Sequence, residues 1–230
     1  MKTLSINQPA YIPWAGYFDR IAKSDIHIIL DHVQFEKNSL INRNYIASKV
    51  GPQLLTIPIL HQGEFQKLSI KDARIDLRSR WAKKHLISIQ QNYSKSKFYN
   101  NFIPKISELY AQFENIDKLN DVLFETSSFI LEHFKVKTQS YKSSDFSFSQ
   151  KKSDLILEIC EYFDCEIYLS GPMGRNYLNL SAFKKRGIRV DFHDYRPHLY
   201  RSEISGFNKH LSILDIMFHC DNYKLDGGLH

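Results

Sequence analysis

The chain has 230 residues, enough to bury a large core as one domain but barely enough for two. Hydrophobic residues make up 43%, which excludes wholesale disorder, and no run approaches the roughly 18 apolar residues of a membrane span. The formal charge of +6 suits an anionic ligand and a solvated surface equally well. The basic runs Arg80–His85 and Lys184–Arg186 belong to no zinc finger, KH loop or RNP strand, so no nucleic-acid partner is expected.

Thr3–Asn7 reads as a short buried strand, stopped where Gln8-Pro9 interrupts the ladder. Gln and Pro come too early for a signal-peptide core. Pro13-Trp14 then opens a helix to about Lys23, with Trp14, Tyr17, Phe18 and Ile21 as its buried stripe. Asp25–Val33 is an isoleucine-rich second strand. Leu54–Leu60 is another, with Pro58 marking an edge or bulge, and Leu68–Ile75 adds a possible further one. Helices follow at Ser79–Gln91, Tyr99–Ala111 and Leu119–Phe134. The polar, serine-rich stretch Gln139–Gln150 reads as the main internal loop.

Alternation then returns, with a helix at Lys152–Phe163, a strand at Glu166–Leu169 and a helix at Tyr177–Arg186 capped by Gly187. A strand at Ile188–Phe192 and a short helix at Ser212–Phe218 complete the chain. The expected fold is therefore α/β, a largely parallel Rossmann-like sheet to which both ends contribute. It forms one domain over residues 1–230, with a helical insertion at approximately 79–135. Cys160, Cys165 and Cys220 form no disulfide framework or zinc pattern; they read as core residues, and a reducing cytoplasm is the expected compartment.

Open parallel sheets bind ligands beyond the carboxyl ends of their strands, which is where Asn7, Gln8 and Tyr11 fall. The helix that follows directs free N–H groups at the same crevice, an arrangement suited to phosphate or carboxylate. The alternative is a rigid turn whose side chains only satisfy backbone groups. Asp31 ends the second strand and is suited to act as a base, orient a nucleophile or hold Mg²⁺. Nearby, Asn42 and Arg43 form a candidate anion clamp; the competing reading pairs Asp31 with Arg43 at the surface. Gly171, Arg175 and Tyr177 lie in a glycine turn that lacks both GxGxxG and GxxxxGK[ST], so it signals no named nucleotide site. Lys84 and His85 could face the site from a helix, His85 as an acid–base group. His193 and His198 are the next histidines in line.

Gln8–Phe18, Asp25–Phe35, Asn42–Asn44, Leu55–Pro58, Trp81–Tyr93, Gly171 with Tyr177, and Leu211–Asp215 together resemble the WbqC-like protein family, nearly end to end. The resemblance implies a role in making or decorating an activated sugar, because members often accompany genes for O-antigen and other surface polysaccharides. Where the family pattern usually carries an acidic residue after Asp31 this chain has His32, so no metal is assigned to that position, and no cofactor is assigned at all.

The first functional expectation is a transferase acting on a nucleotide-linked amino sugar, by amide-forming acyl or aminoacyl transfer. Asp31 or His85 would be the base, Tyr11 would assist, and Asn7, Gln8, Asn42, Arg43, Lys84, Gly171, Arg175 and Tyr177 would bind substrate. Nucleotidyl transfer and a non-catalytic role in a polysaccharide assembly complex are the alternatives. The transferase requires Gln8, Tyr11, Asp31 and Arg43 to converge on one concavity.

Overall fold

The computed structural model describes residues 1–60, 67–196 and 211–225. In chain order the first elements are β1 (Thr3–Asn7), α1 (Ala15–Ala22), β2 (Ile26–Ile29), β3 (Arg43–Ser48), β4 (Gly51–Thr56), β5 (Ile59–Leu60) and β6 (Arg74–Ile75). The helices α2 (Trp81–Tyr93), α3 (Tyr99–Phe113) and α4 (Leu119–His133) follow. Then come β7 (Gln139–Lys142), α5 (Lys152–Tyr162), β8 (Ile167–Ser170), α6 (Leu180–Lys185), β9 (Arg189–Phe192) and α7 (Ile213–His219).

Five of these strands form a sheet in the order β7-β2-β1-β8-β9, and every pairing in it is parallel. The chain starts in the middle, works outward through β2 to β7, then crosses back to lay β8 on the other side of β1. That reversal leaves a crevice between the ends of β1 and β8, the place where open α/β sheets hold ligands.

Side-chain alternation sorts the two faces of the sheet. Leu4 and Ile6 of β1 and Ile26 and Ile28 of β2 pack against Leu155, Ile159 and Cys160 of α5 and Phe183 of α6. The opposite face carries Ser5 and His27, whose Oγ and Nδ1 lie 2.9 Å apart. On that side α1 and α4 lie over the sheet. A second core joins the outer side of α1 to β3, β4, α2, α3, α4 and α7. Rings dominate it, with Tyr93 stacked on Phe218 at 4.6 Å and Trp81 on Phe113 at 5.9 Å.

Three expectations need revision. Gln139–Lys142, read as loop, is the edge strand β7 beside β2; it is too polar to show an apolar alternation, and only pairing with β2 makes it a strand. Asn42 and Arg43, expected as an anion clamp, stand at the start of β3, which forms an antiparallel hairpin with β4. Its turn is Lys49-Val50, without the Asn-Gly or Asp-Gly signal of tight hairpins. The helix expected from Tyr177 is α6 alone; Pro172–Asn176 makes a 3-10 turn, and Asn179 caps α6 by accepting from the Ala182 N–H. Gly187 closes α6 with φ of 73°, as the cap reading requires.

Candidate functional site

A cleft of about 550 Å³ occupies the crevice between β1 and β8. Its floor is Ile6, Asn7 and Tyr168; its walls are Gln8–Ala10, Pro13, Trp14, Tyr17 and Arg20 on one side and Gly171–Gly174 and Tyr177 on the other. Ser39, Leu40 and Ile41 close a third side.

The loop from Gln8 to Trp14 is held by hydrogen bonds that other segments donate to its carbonyls. Tyr17 Oη donates to the Gln8 carbonyl at 3.2 Å. The amide of Asn44 donates to the Tyr11 and Ile12 carbonyls at 3.2 and 2.8 Å, and the Ile213 N–H reaches the Pro13 carbonyl at 3.0 Å. These bonds keep Ile12 at φ of 37°, a conformation a β-branched residue avoids unless its surroundings impose it. Asn44 therefore positions the cleft wall.

Two polar groups in the cleft lack partners among the described residues. The Asn7 side chain is 5% exposed, and among the described residues neither of its polar atoms is hydrogen-bonded; the Tyr17 hydroxyl beside it, close enough for Asn7 to lower its pKa, donates to the Gln8 carbonyl instead. Leaving such an amide unpaired costs about 1–3 kcal/mol per group, so a ligand that pairs with it recovers that energy. Arg20 extends from α1 into the cleft, and none of the ion pairs among the described residues involves it. Burial pushes its pKa down, opposed by the nearby hydroxyls of Tyr168, Tyr17 and Tyr177. Burial likewise raises the pKa values of those three phenols, so they stay protonated near neutrality and can donate hydrogen bonds.

Gly171 leaves room for this guanidinium in its present position. A Cβ at position 171 would lie 2.4 Å from Arg20 Nη1. Its φ of −68° is open to alanine, so Gly171→Ala should act through Arg20 alone. Anion affinity is expected to fall about tenfold, with the thermal midpoint within about 2 °C of wild type. Calorimetric titration alongside a melting curve checks both.

The sequence candidates fall into four groups. Asn7, Gln8, Gly171 and Tyr177 line the cleft. Tyr11 and His85 are buried together outside its lining, with Tyr11 Oη 2.9 Å from His85 Nδ1 and also bonded to the Tyr110 hydroxyl. Asp31 is fully buried and accepts four bonds. Ser143 Oγ and the Ser144 N–H reach Oδ1 at 3.0 and 2.9 Å, while Asn120 Nδ2 and Ser144 Oγ reach Oδ2 at 2.9 and 2.7 Å. A carboxylate offers about four lone-pair positions, so none is left for a substrate proton or a metal.

The remaining candidates also lie outside the cleft lining. Asn42 donates to the Ile57 carbonyl at 2.7 Å. Arg43 stands in β3, its Nε without a partner among the described residues. Lys84 is exposed on α2, and Arg175 stacks on Phe192 at 4.1 Å. His193 is tied to Asp19 at 2.6 Å, and His198 lies outside the described residues. The expected convergence of Gln8, Tyr11, Asp31 and Arg43 does not occur: of the four, the cleft receives Gln8. Arg20 was missed, though it follows Tyr17 by three residues and so shares its helix face.

Residues 8–226 match the model of the WbqC-like protein family. The chain belongs to that family. It is 33% identical over 221 residues to a Mycobacterium tuberculosis protein named "Uncharacterized protein Rv1507c", covering 95% of this chain and 94% of the relative. No solved structure matches the chain. The matched span of this WbqC-like protein includes nearly all of the cleft, from Gln8 through Tyr177. No helix among its described residues is long and apolar enough to cross a membrane.

Burial also sets a pH response. It lowers the pKa of His85 to about 4 and that of His27 to about 3. The unfolded chain, with histidines near 6.5, therefore binds more protons than the folded one below that pH. Stability is expected to be full above about pH 6.5 and to fall as the pH drops toward 4. Urea unfolding at pH 7 and pH 5 should show this loss, and His85→Gln should reduce it.

Proposed function

We propose that this WbqC-like protein is a transferase acting on a nucleotide-linked amino sugar in bacterial surface polysaccharide assembly. The observation that carries the reading is the Arg20 guanidinium, without an ion-pair partner among the described residues, in the same β1–β8 cleft as the Asn7 amide that no described residue pairs. A guanidinium offers two parallel donors to a diphosphate, and the amide and tyrosine hydroxyls add neutral ones. Trp14, Tyr17 and Tyr177 supply flat faces for a base or sugar ring. The polysaccharide context comes from the family resemblance.

Among the described residues the lining includes no carboxylate and no imidazole. Amide formation suits such a site because the sugar brings its own nucleophile. The amine nitrogen attacks the acyl carbonyl, the N–C bond forms, the bond to the leaving group breaks, and the amine proton departs to solvent or with that group. Phenol and amide donors can stabilise the oxyanion that develops. The same lack of an acid or base favours a second reading, a non-catalytic nucleotide-sugar binder.

Calorimetry against UDP-, dTDP-, GDP- and CDP-linked amino sugars, with inorganic phosphate and free amino sugars as controls, tests the binding claim. A nucleotide-linked sugar is expected to bind far more tightly than either control; equal binding of phosphate and nucleotide sugars would overturn it. Mass spectrometry after adding acyl-thioester or aminoacyl donors separates the readings. A product heavier by the acyl group supports the transferase, and binding without product supports the second.

A further inference from the structure

We propose that a chamber on the far side of Tyr17 binds a short neutral acyl amide seated on the His27 imidazole. The chamber measures about 360 Å³ and lies between the sheet and the helices α1 and α4. Pro9 and Tyr17 belong both to its wall and to that of the Arg20 cleft, so the two spaces are neighbours across one ring.

Its lining defines the ligand. Ile21, Ile29, Leu123, Leu131 and Val136 make most of the surface apolar. His27 is 1% exposed; its Nδ1 faces Ser5 Oγ at 2.9 Å, and its Nε2 has no partner among the described residues. Burial and the Arg20 charge keep this imidazole neutral near physiological pH. Glu132, the one charged residue of the lining among the described residues, is exposed, so an anion would be buried there without a counter-charge. Phosphates and carboxylates are thereby disfavoured.

The Nε2 atom donates or accepts according to which nitrogen carries the proton, and the Ser127 and Ser128 hydroxyls in the same wall can do either. A carboxamide matches them because it offers a carbonyl acceptor and an N–H donor together without charge. At about 30 Å³ per water-sized group, the volume takes a fragment of roughly ten heavy atoms. The N-acyl arm of a modified sugar is such a fragment. That extension rests on reading the cleft as the nucleotide-sugar site, whereas occupancy of the chamber does not.

The test uses the full chain with ¹⁵N,¹³C-labelled histidine, and N-methylbutyramide as the probe. A saturable shift of the His27 Nε2 resonance is expected, with nuclear Overhauser contacts from the probe's methyl groups to the His27 ring and the Ile29 methyls. Butyrate should not reproduce it. Ser127→Leu, which fills the chamber, should abolish it while UDP still titrates into the Arg20 cleft. The absence of a saturable shift, or a shift that survives Ser127→Leu without contacts to His27, would overturn the proposal. If Ser127→Leu does not fold, the contacts in the wild-type protein decide alone. Amide binding without UDP binding supports the chamber and counts against the nucleotide reading; UDP binding without amide binding does the reverse.

Discussion

Arg20→Met should weaken nucleotide-sugar binding by between about 10- and 100-fold, the loss of roughly 1.5–3 kcal/mol of charge-assisted hydrogen bonding. The reason is the position of the guanidinium. It stands at the β1–β8 crevice among the hydroxyls of Tyr17, Tyr168 and Tyr177, with no carboxylate partner among the described residues. A charge held partly out of water without a counter-ion is a cost to folding that a bound anion offsets. The same substitution is therefore expected to leave stability unchanged or to raise it by about 1 kcal/mol. Arg20→Lys should fall between the two proteins, keeping the charge but losing the two-pronged geometry. Calorimetry and urea unfolding on the three proteins read both effects. A methionine variant that binds nucleotide sugars as well as wild type would remove the cleft's main ligand group from consideration.

The second large effect belongs to Asp31, and it concerns stability. Asp31→Ala should destabilise the fold by about 3–4 kcal/mol, because four donors converge on the carboxylate and the alanine leaves them facing one another. For a chain of this size that corresponds to a fall of about 6–16 °C in melting temperature. Asp31→Asn should cost less, since it keeps the shape but turns one acceptor into a donor against a donor. The geometry explains the size of the effect: Asp31 ties the exit of β2 to Asn120 near the start of α4 and to Ser143 and Ser144 after β7. Removing it loosens three segments at once. An Asp31→Ala protein as stable as wild type in urea would show that the four bonds contribute little.

The two predictions differ in how readily sequence disclosed the residue. Asp31 stands out in a sequence because it closes an isoleucine-rich run in a region suited to catalysis. Its partners Asn120, Ser143 and Ser144 are 89 to 113 residues away, so nothing local distinguishes a satisfied structural carboxylate from a free base. Tyr11 and His85 behave alike. Each is a plausible acid–base residue in isolation, and each is consumed by the other across 74 residues inside an aromatic core. Arg20 is the converse case. On a short amphipathic helix it reads as a solvated polar residue, and only the close passage of Gly171 from the other half of the chain encloses it.

Local chemistry determined the element types and the general placement of the ligand crevice. The apolar runs of β1, β2 and β8, the helical spacing of α2, α3 and α4, the capping of α6 by Gly187 and the polar exit of β1 are each written within about a dozen residues. The tertiary structure alone decided that the polar segment 139–142 becomes an edge strand, and that 43–48 pairs with 51–56. It also decided which polar side chains are spent on the protein and which remain for a ligand. The division has one physical cause: backbone propensity and side-chain periodicity act between near neighbours, whereas the state of a buried hydrogen-bonding group depends on whichever distant segment is packed against it.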